Sequence, residues 1–522
     1  MVTHMTTTLR RARTRALPFA ALALAMASCD RTVTPTEVLP PLDAASLDAG
    51  AGSWRMLVLT SADQIPVAAP AAVTSPAYAA ELTALKQAQR NMTAAQRGNV
   101  AFWSGGGVLR WNQITRELVA RYNLPPAPRA DGSYPVPDAE NPFADPGFPF
   151  SNPPYAARAY SYVAVAQFEA LKAAWLYKFR YNRPAPARVD AEVRALAPVG
   201  DLPAYPSEEA TLAGVTSEML KLLFPAAVEE IARHAAAQRE AALLGGRATA
   251  SDAAAGLALG RAVAALVIAR ARADGMGAAA GSPAMWQAYV DSTVAHGELP
   301  WKSQETPTRA PLLMNYGTVR AWTMTPAELA ALDPAPPPST SSAQFREEVS
   351  AVKRAVTRLS REQLAIALKW NDGAGTYTPP GHWNDIAAEY VRDARMSEVR
   401  AARTFALLNM AMHDASVACW RVKFKHFNPR PSQVDPTIVT KIGLPNFPSY
   451  PSGHSTFSAA AATVLGDLFP GAASDFRALA DEAGVSRLYG GIHYPSDIVQ
   501  GKAHGQRIGD FVLGFARGDG AQ

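Results

Sequence analysis

The sequence predicts an all-α protein made of two helical bundles related by internal duplication, with its functional site in the C-terminal bundle. Three observations lead there. Long alanine- and leucine-rich segments recur with few β-branched alternations, among them AARAYSYVAVAQFEALKAAWLYKF (156–179), AAVEEIARHAAAQREAALLGG (226–246) and EVRAARTFALLNMAMHDASVACWRVKF (398–424). Several are apolar nearly all round, the mark of helices buried within a sizeable bundle. The chain also repeats itself at a fixed distance, and the two copies differ where chemistry would sit. With 522 residues, 48% hydrophobic and 18% charged, there is material for a large core.

Residues 1–29 read as an export leader. LRRARTR (9–15) is a positive n-region, and ALPFAALALAMAS (16–28) is an apolar h-region too short to span a bilayer. The ending MASC resembles a bacterial lipobox with Cys29 as the acylated residue; a plain secretory signal cleaved nearby is the alternative. Either one predicts export, to the periplasm or to a lipid anchor on the cell envelope. Residues 30–85, rich in Pro, Ala and Ser, read as a linker and N-terminal arm. A first helical bundle follows over 86–332, then the Pro-rich linker DPAPPPSTSSA over 333–343, then a second bundle over 344–522. No later segment reaches about 18 uninterrupted apolar residues, so no transmembrane span is expected. Cys419 reads as core packing, and no disulfide framework is expected. The net charge of +5 is spread thinly, without a Lys/Arg block interleaved with aromatics, which excludes nucleic acid as the expected partner.

The duplication is legible residue by residue. Trp175, Lys178 and Phe179 meet Trp420, Lys423 and Phe424, 245 positions on. Tyr205-Pro206-Ser207 meets Tyr450-Pro451-Ser452, and Gly245-Gly246, Ser251-Asp252, Gly256 and Gly260 meet Gly490-Gly491, Ser496-Asp497, Gly501 and Gly505. Arg183-Pro184 and Arg430-Pro431 follow at 247, a two-residue loop change. Such a series in order marks two copies of one helical unit. The copies then part. Gly453-His454 stands where the first copy has Glu208-Glu209, Ser486-Arg487 where it has Ala241-Ala242, and His493 where it has Ala248. Packing alone would not require that asymmetry.

The stretch YPSGHSTF (450–457) precedes the helical run SAAAATVLGDLF. A helix start leaves backbone N–H groups unpaired and carries partial positive charge, so it suits an anion. Ser452 can cap, Gly453 lets a ligand approach the backbone, and His454 can move a proton. Two further segments accompany it. One is KFKHFNPRP, with Lys423 six residues before Arg430-Pro431; the other is SRLYGGIHYPSD, with Ser486-Arg487, then His493 and Asp497.

This ordered set, Lys-x6-Arg-Pro, Pro-Ser-Gly-His and Ser-Arg-x5-His-x3-Asp, resembles the signature of the type 2 phosphatidic acid phosphatase and vanadium-dependent haloperoxidase superfamily. The resemblance implies that Lys423, Arg430 and Arg487 hold an oxyanion, the arginines through forked hydrogen bonds. Ser452 Oγ and the Gly453 N–H complete the cradle. His493 bonds to the central phosphorus or vanadium, Asp497 holds its far ring nitrogen, and His454 is the acid–base on the apical oxygen.

Within the superfamily the haloperoxidase branch is favoured by the chain's length and double bundle. Trp420 and Phe447 resemble residues lining the halide pocket of chloroperoxidases, although Trp175 repeats Trp420 in the copy without a site, which also suits a core aromatic. WNDGAGTYTPPGHWNDIA (370–387) and PLLMNYGTVRAW (311–322) resemble bacterial haloperoxidase-like sequences, with Asp372 expected behind an active-site arginine. That branch implies vanadate on His493, with hydrogen peroxide and halide as substrates. The alternative is an exported acid phosphatase without a cofactor, cleaving a phosphate ester through a phosphohistidine, since HYPSD (493–497) also suits plain phosphatases. A non-catalytic anion-binding lipoprotein is the remaining reading; it gives no reason for both His454 and His493. A homodimer is the assembly expected beyond the monomer.

Overall fold

The computed structural model describes residues 37–135, 138–141 and 150–521; the leader 1–29, with Cys29, lies outside the described residues. The first copy is built from α1 (Pro76–Arg90), α2 (Ala94–Trp103), α3 (Gly107–Arg121), α4 (Pro153–Tyr181), α5 (Pro186–Val189), α6 (Glu208–Leu223), α7 (Val228–Leu244) and α8 (Ala250–Arg272). Two connecting helices, α9 (Pro283–Ala295) and α10 (Pro326–Ala331), come next. The second copy answers with α11 (Ala343–Thr357), α12 (Arg361–Lys369), α13 (Thr378–Asp393), α14 (Glu398–His426), α15 (Pro431–Val434), α16 (Gly453–Leu468), α17 (Ala473–Tyr489) and α18 (Pro495–Ala516). From α4 to α8, every helix starts 245 residues before its counterpart. Among the described residues there is no strand, only an isolated bridge between Asn123 and Phe150. The all-α fold and the internal duplication are both present.

The two 29-residue helices α4 and α14 pack against each other at the centre. Their long apolar surfaces explain why neither copy closes its core alone. Each carries the same buried ion pair, Arg158 Nε to Asp274 Oδ2 at 2.8 Å and Arg403 Nε to Asp519 Oδ2 at 2.7 Å. Each also carries a buried carboxylate that accepts backbone N–H groups from a passing segment. Glu169 takes those of Leu57, Val58 and Leu59, and Asp414 those of Trp322 and Thr323.

The arm read as linker is therefore packed: Trp54 and Leu59 are buried, and α1 already begins at Pro76. Likewise the segment ending at Thr323 sits on α14, ahead of the Pro-rich run 333–343 that the sequence suggested as the break. Proline-rich composition marks a surface path, not the edge of a packed unit. The described residues form one compact unit, not two separable bundles.

Close backbone contact positions the site. A Cβ on Gly505 would lie 2.0 Å from Thr456 O, and one on Gly501 2.8 Å from Ser452 O, so α18 lies directly on α16. In the first copy a Cβ on Gly260 would meet Thr211 O at 2.2 Å in the same way. Among the described residues, α8 is apolar and long enough to cross a membrane by composition, although no run in it is uninterrupted. Here it packs on α6.

Candidate active site

Three helix ends and two turns meet where α16 begins. The last turns of α14 carry Trp420 and Lys423, and the chain then reverses at Phe427 (φ 45°) to present Arg430. The end of α17 carries Ser486 and Arg487, and Gly491 (φ 76°) turns the chain back so that His493 precedes α18. A residue with a side chain is strained at such a φ.

His493 Nδ1 lies 2.8 Å from Asp497 Oδ2, so the expected orienting pair is present. Asp497 Oδ2 also accepts from Ser449 Oγ at 2.5 Å and from the Tyr494 N–H at 3.2 Å. Burial pushes Asp497 up to about 6, with the Ser449 bond and Lys423 opposing. Burial, then the charges of Arg430, Lys423 and Arg487, hold His493 well below the ordinary histidine range. The imidazole is neutral at pH 7, with Nδ1–H on Asp497 and the Nε2 lone pair turned the other way. Arg430 Nη1 sits 3.1 Å from that Nε2.

Gly453, His454, Arg487 and His493 line a cavity of about 390 Å³, with Trp420 and Phe447 on its wall. Lys423, Arg430 and Ser452 stand behind this surface. Lys423 Nζ donates to the carbonyls of Pro448, Ser449 and Pro451 at 3.0, 2.9 and 2.6 Å, which fixes the turn before α16. Ser452 Oγ accepts the Ser455 N–H at 3.3 Å, so it serves first as the helix cap. Trp420 and Phe447 pack with ring centroids 5.0 Å apart and planes tilted by 50°, and the Trp420 indole N–H is engaged with Leu312 O at 3.1 Å.

Asp372 was expected behind an arginine; its carboxylate contacts two histidines instead. Oδ1 is 3.1 Å from His382 Nδ1, and Oδ2 is 3.3 Å from His454 Nε2, the second contact being out of line for a hydrogen bond. The reason is local: Asp372 adopts φ 46°, and Arg487 spends Nη2 on the Trp370 carbonyl and Nε on Ser486 Oγ at 2.9 Å. Burial works against ionisation of Asp372, but the two histidines hold its pKa well below the carboxylate range. Burial and then Arg487 push His454 down to about 4.

His382 and Ser449 escaped the sequence reading. Each acts only through a contact made by tertiary packing, and neither falls at a motif position.

The site is rich in buried positive charge. Burial lowers Lys423 to about 7 and Arg430 and Arg487 to about 10. Arg430 Nη2 and His454 Nε2 are buried without hydrogen-bond partners. In the first copy the same scaffold is neutralised from within. Lys178 Nζ is 3.6 Å from Glu208 Oε2, and Arg247 Nε is 2.9 Å from Glu209 Oε1. With Ala248 in place of histidine, Arg183 Nη2 reaches Asp252 directly at 2.6 Å. The second copy has no carboxylate in that position. It lacks an anion, and an oxyanion such as phosphate or vanadate fits its donor set.

Residues 404–515, which carry every member of this set except Asp372 and His382, match the model of the PAP2 superfamily. The PAP2 likeness thus lies in the segment that holds the site. Two curated relatives match part of the chain. One is the vanadium chloroperoxidase of Curvularia inaequalis, 35% identical in an alignment of 136 positions that covers 20% of this chain and 22% of that protein. The other is the decaprenylphosphoryl-5-phosphoribose phosphatase of Mycolicibacterium smegmatis, 37% identical over 89 residues, 17% of this chain and 46% of that protein. The chain thus spans less than half the length of either.

Two solved structures share the PAP2 fold more widely. A bacterial vanadium-dependent iodoperoxidase superposes with a TM-score of 0.54 at 22% identity, covering 69% of this chain and 91% of its own. A holo-type bacterial vanadium-dependent chloroperoxidase does so with 0.50 at 14% identity, covering 73% and 96%. At such identities the likeness is one of fold.

Proposed function

We propose that this protein is a vanadate-dependent haloperoxidase that oxidises halide with hydrogen peroxide, exported through its leader to the cell envelope. The observation that carries the oxyanion site is Arg430 Nη2, buried without a hydrogen-bond partner, on a guanidinium whose Nη1 lies 3.1 Å from His493 Nε2. The haloperoxidase branch is supported by the Trp420–Phe447 pair on the cavity wall and by fold neighbours that cover 69% and 73% of this chain.

In this reading Arg430, Arg487 and the Gly453 N–H hold the oxygens of vanadate, and His493 Nε2 is its protein ligand. Lys423 acts through the turn it fixes and through its charge. Bound vanadate supplies the Lewis-acid centre at which peroxide becomes able to oxidise halide. Asp497 keeps the His493 proton on Nδ1, so that Nε2 stays free to bind. His454 would take a proton from an oxygen held in this cradle or return it, with Asp372 stabilising its charged form. Trp420 and Phe447 exclude water from the halide side.

The second reading, an acid phosphatase, is supported by the phosphatase relative, 37% identical over 89 residues. His493 Nε2 would attack phosphorus while the ester oxygen leaves with a proton from His454, and water would then release phosphate. That donor role needs imidazolium, and with His454 near 4 it is available only in acid. The deciding experiment assays vanadate-loaded protein for bromination of a phenol with bromide and peroxide, beside hydrolysis of a phosphate monoester. Bromination that depends on vanadate is expected. Efficient ester hydrolysis without bromination at full vanadate loading would sink the haloperoxidase reading.

A further inference from the structure

The connection from α3 to α4 occupies 122–152, whereas its counterpart between α13 and α14 is only 394–397. The extra chain serves the other copy's site. Asn123 Nδ2 donates to the carbonyls of Gly373 and Thr376 at 3.0 and 3.1 Å, and Asn123 O accepts the Gly375 N–H at 2.8 Å. This fastens it beside Asp372. Asn123, Pro125 and Phe150 then wall the cavity that holds His454 and His493. Beyond Phe150, Arg309 and Leu312, which the two spaces share, lies a second cavity of about 490 Å³.

Its surface is apolar and aromatic, with Tyr155, Trp286, Leu313 and Met314 prominent. The polar groups around it are already engaged. Arg309 pairs with both oxygens of Glu305 at 2.6 and 2.7 Å. Asn152 Oδ1 caps α4 at 3.1 Å, and Ser282 Oγ caps α9 at 3.3 Å. Asp138 Oδ1 accepts the N–H groups of Glu140 and Asn141, and the Tyr155 hydroxyl donates to Leu223 O. Among the described residues the Arg309 guanidinium is already paired, so an anionic ligand gains no free cation here, and halide or peroxide needs no such room. The volume and lining suit a small organic molecule with few polar atoms.

Resting on the haloperoxidase reading, we propose that this chamber binds the organic acceptor of the halogen, an uncharged aromatic of the phenol or naphthol class, next to the cavity of His493. Trp286 offers the ring face on which such a molecule stacks. Phe150, with the strap carrying Arg309 and Leu312, forms the wall between acceptor and oxyanion site.

Equilibrium dialysis of the full chain with 2-naphthol, without vanadate or peroxide, tests this directly. Saturable binding to a single site is expected. Trp286→Ala should weaken it about tenfold, and Trp286→Phe, which keeps a ring, should retain most of it. Ala280→Phe, which fills the chamber, should abolish it. Orthovanadate binding by the same variants should stay within about twofold, since the cradle is separate. Uptake that does not saturate, or equal naphthol binding by every variant, would overturn the assignment. Because neither vanadate nor peroxide is present, a protein that proves to be a phosphatase can still pass this assay, and a brominating enzyme can still fail it.

Discussion

Asp372 stands between two histidines, 3.3 Å from His454 Nε2 through one oxygen and 3.1 Å from His382 Nδ1 through the other. The two substitutions around it should act in opposite directions. Asp372→Asn removes the charge that favours imidazolium, so the His454 pKa should fall further below about 4. His382→Gln removes a competing positive charge and leaves the carboxylate to His454, so its pKa should rise. NMR titration of the His454 ring reads both, and activity should drop about 10–100-fold in the aspartate variant. Shifts of the same sign would mean that the carboxylate serves only packing.

His493→Ala should abolish oxyanion binding, measured by titration calorimetry with orthovanadate. Glu209→Ala, at the position matching His454, should leave that binding intact while lowering stability by about 1–3 kcal/mol, because it strands Arg247. Equal loss of binding from both changes would show that the first copy also holds an anion.

Burial raises Glu208 from 4.5 to about 7. The folded state then keeps a proton that the unfolded chain releases, so stability should decline as pH rises from about 4.5 to 7. Glu208→Gln should flatten that part of the Tm-against-pH curve. An unchanged slope would place the proton on another group.

Phe447→His should alter halide preference with little effect on orthovanadate affinity. Arg430 Nε bonds to the backbone oxygen of Phe447 at 2.9 Å, a contact that survives the change of side chain. Inorganic phosphate should inhibit bromination competitively with vanadate, since both present oxygens to Arg430 and Arg487. Steady-state kinetics with chloride, bromide and iodide check the first statement and kinetics at several vanadate and phosphate concentrations the second; phosphate inhibition that excess vanadate does not relieve would contradict a shared cradle.

Gly505→Ala would push a Cβ to within 2.0 Å of Thr456 O, where backbone cannot yield cheaply. A loss of about 1–3 kcal/mol in chemical denaturation is expected, with orthovanadate affinity falling as α18 shifts from α16. Wild-type stability would show that the two helices are not in fixed contact.

Legibility in the sequence followed the range of the interactions. The helices, their 245-residue recurrence and the His493–Asp497 pair depend on neighbours a turn or two away, and these appear as written. The motif positions also located the cations correctly, but not their present partners. Lys423 holds backbone carbonyls and Ser452 caps its helix, because a buried donor or acceptor takes whatever polar group the turn supplies. Asp372 was noticed for its charge beside an arginine, and Arg487 does feel it, but the two histidines it contacts were not foreseen, since its φ of 46° decides where the carboxylate points. The packed arm around Trp54 was out of reach for another reason: its proline- and alanine-rich composition does not reveal that Glu169 will collect its N–H groups.

The wall that Phe150 and Asn123 contribute to the other copy's cavity makes the molecule, in effect, a dimer written as one polypeptide. Between free subunits such a shared wall would exist only above some dissociation constant and would be lost on dilution. Here the partner is always present at unit stoichiometry, however scarce the protein. Because a single gene specifies both halves separately, one half could fill its own anion site with Glu208 and Glu209 while the other kept its histidines. Self-association of identical chains forbids that division of labour.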